Sequence, residues 1–252
     1  MARYQVTLAY DGTGFLGFQR QGEVRTVQLE VEKALRELGW QQDTLLAAGR
    51  TDTGVHASGQ VIAFDLDWGH DPQALCRALN AKLPKDVAAR AASTARDDFH
   101  PRYDARSRTY QYHIFCEALR DPLRERYAWR VWPEVDLNRL QAAADLLIGT
   151  HDFAAFGTPP RTGGSTVRRV FQADWVRQPG GLLFEIRANA FLYHMVRRTV
   201  FLLVQAGGGR LSLENLGQAV TQAQPQTPGL APAQGLVLTR VEYDTKQDDW
   251  IA

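Results

Sequence analysis

The stretch GRTDTGVHASGQVIAFD, residues 49–65, sets three ionisable side chains on one short turn. Arg50, Asp52 and His56 lie within seven residues of one another, just before an apolar run that predicts a buried strand. Glycines at both ends of the turn let the backbone aim a carboxylate out of the sheet. Asp52 is therefore a candidate nucleophile, general base or metal ligand, and a turn in which it only caps its own backbone stays open.

A metal site built on this turn is not expected, because His56 has no second histidine or carboxylate at ligand spacing. A glycosidase would need a second carboxyl group roughly 5 to 10 Å from the first. Asp65 and Asp67 alternate with the buried apolar residues of the predicted strand, which places them on its outer face. A lone carboxylate better suits a reaction at a sugar carbon whose leaving group is retained and reattached, since no water has to be activated.

The composition predicts a soluble, cytoplasmic protein with a sizeable core. The chain has 252 residues, 44% of them hydrophobic, and shows neither a run of eighteen apolar residues nor a basic and apolar signal at its start. Its two cysteines have no Cys-x-x-Cys spacing. The net charge is only +1, but residues 161–210 hold eight arginines against two acidic residues, which gives weak support for a polyanionic partner.

The elements that must position the turn follow a β-α-β-β-α-β order in the first part of the chain. RYQVTLAYD alternates as a half-buried strand, and a helix is predicted from an N-cap at Thr26 to Gly39. TLLAAG and QVIAFDLD are the next two strands. Asp71 caps a second helix that ends near Pro84, and DVAARAASTA is the last strand. This is the ferredoxin-like arrangement, an antiparallel sheet with helices on one face.

The second part of the chain repeats this order with longer loops. ARSRTYQYHIF is a predicted strand, residues 136–148 a helix, and VRRVFQADWVRQ pairs with GLLFEIRA. A long helix is predicted from about Phe191 to Ala206, then a further helix and the closing strand GLVLTRVEYD. The prediction is therefore two α+β domains, residues 1–100 and 101–252, whose sheets form one extended, mostly antiparallel surface with a central RNA-binding cleft.

Several segments in one order along the chain are similar to the tRNA pseudouridine synthase A family. The turn itself resembles the family's catalytic motif, with Thr53 where alanine is usual, and YDGTGFLGFQRQ resembles its first motif, with Phe18 where tryptophan is usual. The other matching segments are TVQLEVEKAL, ARSRTYQY, DFAAFG, TVRRV, NAFLYHMVRRTV and APAQGLVL. Such a colinear series is much more specific than one short motif.

The resemblance implies a role for each matching residue. It makes Asp52 the catalytic aspartate of a uridine isomerase and Arg197 the arginine that pairs with it. Tyr110 becomes the tyrosine that stacks on the target base, Leu236 a wall of the uracil pocket, and Arg50 the arginine linked to base flipping. Four further arginines are candidate phosphate contacts: Arg106, Arg108, Arg168 and Arg169. Tyr112 shares the strand face of Tyr110 and is a candidate neighbour in the same pocket.

The same resemblance implies a substrate and a partner. The family acts on uridines at positions 38, 39 and 40 of the tRNA anticodon arm, as a homodimer and without metal, flavin or nucleotide cofactor. Isomerisation involves no net redox change or hydrolysis, and the chain has no phosphate loop or dinucleotide fingerprint. Whether the aspartate adds to the sugar C1′ or removes a sugar proton to give a glycal stays open.

Two other functions remain as alternatives at this point. A non-catalytic RNA-binding protein on the same scaffold would keep the arginines and aromatic residues but would have no use for Asp52. A metal-dependent nuclease would need Asp52 and His56 to converge with His151 or His194, which lie far away in the sequence.

Overall fold

Alternating apolar residues in both parts of the chain form the strands of one extended sheet in the computed structural model, which describes residues 1–224 and 227–244. The first part contains β1 (Ala2–Tyr10), α1 (Val27–Glu37), β2 (Leu46–Ala47), β3 (His56–Leu66), α2 (Pro72–Lys82) and β4 (Val87–Thr94). The second part contains β5 (Ala105–Phe115), β6 (Trp129–Arg130), α3 (Leu137–Asp145), β7 (Gly149–Asp152), β8 (Val167–Gln178), β9 (Gly181–Ala188), α4 (Met195–Gly207), α5 (Leu213–Thr221) and β10 (Leu236–Tyr243).

The strand order confirms the predicted ferredoxin-like arrangement in both parts. In the sheet the strands follow β4-β1-β3-β10-β5-β9-β8-β7, with β2 paired to β3 and β6 paired to β5. The neighbours β4, β1, β3 and β2 in the first part therefore correspond to β10, β5, β9 and β8 in the second. The long pairings are all antiparallel. Antiparallel neighbours are what the ferredoxin-like strand order gives.

The two parts meet where β3 runs parallel to β10. Only the start of each strand takes part, with His56 opposite Val237 and Ala57 opposite Leu238. Since β3 begins directly after the Asp52 turn and β10 begins at Leu236, this seam brings both predicted site segments to the centre of the sheet. The division at residue 100 into two domains stays a prediction.

Helices cover one face of the sheet in each part. In the first part α1 and α2 bury residues such as Leu35 and Leu79 against the face of β1 that carries Val6 and Leu8. In the second part α3 and α4 pack on β5, β8 and β9 around fully buried residues, among them Phe184. Apolar area removed from water in this way stabilises the fold by roughly 25 cal/mol per Å². Within residues 1–224 and 227–244 no helix is long and apolar enough to cross a membrane.

Local capping signals placed the starts of α1, α2 and α3 correctly. The Thr26 side chain accepts a hydrogen bond from the backbone of Leu29, and Asp71 accepts one from Ala74, so both predicted N-caps are confirmed. Asp136 is likewise the N-cap of α3, but that helix ends at Asp145, short of the predicted residue 148.

The predicted start of the long helix was wrong. The helix α4 begins at Met195 instead of Phe191, because His194 has a left-handed backbone with φ of 65° that cannot continue a helix. Tyr193, just before it, exchanges backbone hydrogen bonds with Thr158 in an isolated β-bridge. The short strands β6 and β7 were not predicted.

Candidate active site

The turn that carries Asp52 is held by two neighbouring residues, Tyr10 and Phe18. Thr51 bonds through its hydroxyl to the Tyr10 hydroxyl at 2.8 Å, and its carbonyl accepts from the Phe18 backbone at 3.0 Å. Burial raises the pKa of Tyr10 to about 12, so its hydroxyl stays protonated. Gly54 has a φ of 78°, which a glycine adopts without strain, and closes the turn. Asp52 is therefore held on a rigid support although it lies in a loop.

Asp52 and Arg197 form an ion pair across the cleft. Arg197 Nη1 lies 2.9 Å from Asp52 Oδ2, and the side chains are only 16% and 19% exposed. Ala231 orients Arg197 through two hydrogen bonds. The Ala231 carbonyl accepts from Arg197 Nε at 2.8 Å, and the Ala231 backbone N–H donates to the Arg197 carbonyl. The Asp52 carboxylate thus points across the cleft at a cation. This contact joins residues on opposite sides of the β3–β10 seam.

His194 is a second neighbour of the carboxylate, and sequence reasoning named it only as a candidate ligand of the nuclease alternative. Its Nε2 lies 3.5 Å from Asp52 Oδ2, and its ring stacks on Tyr193 with centroids 3.7 Å apart. Burial lowers the pKa of His194 and the Arg197 charge adds to this, while Asp52 opposes them; the imidazole is therefore neutral near pH 7. Its sequence position gave no signal of this contact, because His194 lies outside α4 with a left-handed backbone.

An aromatic and apolar wall faces the ion pair. The Tyr110 ring meets the Phe191 ring edge to face, with centroids 5.1 Å apart and planes at 87°. Tyr110 lies at the centre of the sheet, opposite Leu238 of β10 and Ile186 of β9, and burial raises its pKa. Leu236, at the start of β10, is 6% exposed.

Asp52, Arg197, Tyr110 and Leu236 line one cavity of about 380 Å³. Its other walls come from the segment 16–21, the rest of the turn and the segment 191–196, and Arg50 stands at its edge. Tyr112 does not line it: this side chain is fully buried and donates to the Pro232 carbonyl at 2.7 Å. Gly235 packs against its ring.

The four candidate phosphate contacts have different surroundings. Arg169 is exposed, with its guanidinium over the Phe171 ring, and Arg106 is exposed and paired with Asp244. Arg168 is half-buried and donates to the backbone of Ser165 and Val167. Arg108 is buried and donates to three backbone carbonyls, which argues against a phosphate contact. The sequence revealed the charge of these residues but not their burial.

The histidines of the nuclease alternative do not converge. His56 Nδ1 accepts from the Gly12 backbone and lies 3.2 Å from Asp11, and His151 bonds the Ile148 carbonyl. In the part of the chain that the structure describes, no group of three histidine, cysteine or carboxylate side chains is arranged to hold a metal ion. Of these residues, His194 alone is near Asp52.

Comparison with known proteins decides the family. A family model described as tRNA pseudouridine synthase matches residues 7–104 and 143–244. The chain belongs to the tRNA pseudouridine synthase family. It is 39% identical to tRNA pseudouridine synthase A of Streptococcus equi subsp. equi over 97% of this chain and 100% of that protein. It is 40% identical to the protein of the same name from Chloroflexus aurantiacus (strain J-10-fl), over 100% of this chain and 92% of that one.

Membership of this family confirms the resemblance and the predicted enzyme class, an isomerase. The Neisseria meningitidis serogroup B protein of the same name is 37% identical over 96% of this chain and 92% of its own length. Asp52, Arg197 and Leu236 lie inside the segments that the family model matches, whereas Tyr110 and Arg108 lie between them. A chain from a Cbf5–Nop10–Gar1 complex aligns over 93% of this chain and 48% of its own, with a TM-score of 0.40 and 13% identity.

Proposed function

We propose that this protein converts uridine to pseudouridine at positions 38, 39 and 40 of the tRNA anticodon arm. The target nucleotide is flipped into the cavity, its N-glycosidic bond is broken, and the ribose C1′ is rejoined to uracil through C5. Asp52 carries the reaction, Arg197 holds its charge, and Tyr110 and Leu236 bind the base. The observation that carries this proposal is the ion pair of 2.9 Å between Asp52 and Arg197 inside a nucleoside-sized cavity.

The geometry suits a reaction at a sugar carbon. Arg197 Nη1 donates to Oδ2 of Asp52, and His194 Nε2 lies 3.5 Å from the same oxygen. The Arg197 charge offsets part of the cost of burying the carboxylate. Either route needs a charged carboxylate, because addition to C1′ requires a nucleophile and glycal formation requires a base. The base leaves and returns within one cavity, so the glycosidic bond is not hydrolysed. When C1′ is joined to C5, C5 gives up its proton to solvent and N1 takes one up, so the uracil keeps the same number of protons.

The wall of the cavity supports recognition of a flipped base. Stacking on an aromatic face contributes ~1 to 3 kcal/mol per base without reading its sequence. Tyr110 offers such a face, in edge-to-face contact with Phe191, and Leu236 adds an apolar side chain to the lining. Since extrusion of a nucleotide costs a few kcal/mol, this stacking offsets a substantial part of that cost.

The surroundings of the cavity support binding of an RNA backbone. Arg50 is exposed at its edge, two residues from Asp52, where it can contact the flipped nucleotide. Arg169 and Arg106 are exposed on β8 and β5, and Arg168 is half-buried on β8. Such arginines position a nucleic acid by its phosphates and do not read bases. A non-catalytic RNA-binding protein would not need a buried carboxylate aimed into the same cavity.

We also propose that the protein acts in the cytoplasm as a homodimer whose two protomers share one tRNA. Residues 1–100 and 101–252 form its two domains, with the active site at their seam. The dimer is what the resemblance to the tRNA pseudouridine synthase A family implies.

Mapping the product in tRNA transcripts tests this function. A transcript with uridine at positions 38, 39 and 40 is incubated with the protein, and pseudouridine is located by carbodiimide modification and primer extension. We expect product at these positions and none in the other arms, and a transcript with cytidine at all three positions should give none. Product only in another arm would refute the assigned positions, and no product in any tRNA would refute the function.

A further inference from the structure

One buried arginine joins the two segments that bring Asp52 and Arg197 together. Arg108 lies on β5 and is 9% exposed. Its Nη2 donates to the carbonyls of Ala48 at 3.0 Å and Arg102 at 2.7 Å, and its Nη1 donates to the carbonyl of Asn189 at 2.9 Å. All three acceptors belong to the backbone, so the contacts fix the course of the chain.

Two of these carbonyls lie next to the parts of the active site. Ala48 directly precedes the turn that carries Asp52, and its own N–H donates to Val61 of β3. Asn189 directly follows β9 and opens the segment that leads through His194 to Arg197. The third acceptor, Arg102, lies in the connection between β4 and β5. A displacement of Arg108 would therefore shift the backbone on both sides of the Asp52–Arg197 ion pair.

A guanidinium is suited to this task because its planar fork offers donors in fixed directions. Lysine has the same charge but a compact ammonium group that cannot reproduce a fork bound to three separate carbonyls. Burial lowers the pKa of Arg108, yet an arginine side chain stays protonated in proteins. Nη1 and Nη2 are already engaged by carbonyls, which leaves them unsuited to hold a phosphate.

We propose that Arg108 is a positioning residue that fixes the Asp52 turn relative to the segment leading into α4. The effect on catalysis rests on the proposed function, whereas the effect on backbone order does not. Arg108 touches neither the substrate nor the reacting atoms in this assignment. It acts through the carbonyls of Ala48 and Asn189.

Hydrogen–deuterium exchange tests the positioning without reference to activity. We expect Arg108→Lys and Arg108→Met to speed exchange in peptides that cover residues 48–56 and 189–197. The matched control is Arg3→Met, which removes a guanidinium that donates to the Phe99 carbonyl at 3.0 Å and pairs with Asp65. This control should leave both peptides unchanged. Unchanged exchange in the Arg108 variants, or the same acceleration in the control, would overturn the proposal.

Single-turnover kinetics at saturating tRNA test the consequence. We expect both Arg108 variants to react about 100-fold more slowly, the size of effect seen when a reacting group is misplaced by about 1 Å, with tRNA affinity within about threefold of the wild type. Arg3→Met should react at the wild-type rate.

A weaker tRNA affinity with a reduced salt slope and a wild-type rate would make Arg108 a phosphate contact and overturn the proposal. If both variants fail to fold while Arg3→Met folds, Arg108 belongs to overall stability and the proposal is also overturned. Wild-type protein is run alongside, because its inactivity would refute the proposed function and not the positioning.

Discussion

Removal of Arg197 should slow the reaction by an amount that follows from the geometry of its ion pair. Two unit charges about 4 Å apart attract by roughly 4 kcal/mol at an effective dielectric constant of about 20. Arg197 and Asp52 are 16% and 19% exposed, and solvent screening reduces the usable part to about 2 kcal/mol. If the charged carboxylate is required in the transition state, Arg197→Met should lower the single-turnover rate by about 30-fold.

The assay is release of tritium from C5-labelled uridine in tRNA at saturating enzyme, so that binding does not limit the rate. Arg198→Met is the matched control, because it removes the same charge from the next position of α4. The guanidinium of Arg198 donates to the carbonyls of Thr227 and Gly229. We expect this control to react within about threefold of the wild type. Equal rates for Arg197→Met and wild type, or equal losses in both variants, would refute the reasoning.

Three further predictions concern the base pocket, the pH dependence of stability and the support of the turn. Tyr110→Ala should lower kcat/KM by about 5- to 150-fold, because it removes a stacking face of ~1 to 3 kcal/mol; an unchanged kcat/KM would leave the ring with a packing role only. Burial lowers the pKa of His56 although Asp11 opposes it, so the unfolded chain binds more protons. The melting temperature should therefore fall as the pH drops below about 6.5, with a shallower fall in His56→Asn; a melting temperature that rises on acidification would contradict this. Gly12→Ala would set a Cβ 2.0 Å from the Val55 carbonyl oxygen and should lower the free energy of unfolding in urea by about 1 to 3 kcal/mol. Gly69→Ala has open space around it and should keep the wild-type free energy of unfolding.

Local chemistry explains which parts of the fold were predictable from the sequence. N-caps such as Thr26 and Asp71 and the period-2 pattern of β1 depend on neighbouring residues, so a single sequence shows them. The start of α4 could not be predicted in this way. Its N-cap, His194, adopts a left-handed backbone in a segment bridged to Thr158, and such a tertiary contact leaves no local signal. Strands of two residues, such as β6, are too short for any periodicity.

The candidate site shows the same division. A glycine-bounded turn with an aspartate and an arginine is visible in the sequence, but the partner of Asp52 lies 145 residues away. Only the resemblance to a family predicted that Arg197 pairs with Asp52, and the structure shows this contact. Arg108 illustrates the reverse case: its residue type suggested a phosphate contact, while its burial among backbone carbonyls could be seen only after folding.

The central claim is that an ionised Asp52 carries out the isomerisation. Tritium release from C5 of uridine in tRNA, compared between wild type, Asp52→Asn and Asp52→Ala, tests it most directly. We predict complete loss of release in both variants, with tRNA affinity changed by less than about tenfold, or ~1.4 kcal/mol. Undiminished release by Asp52→Ala would contradict the account.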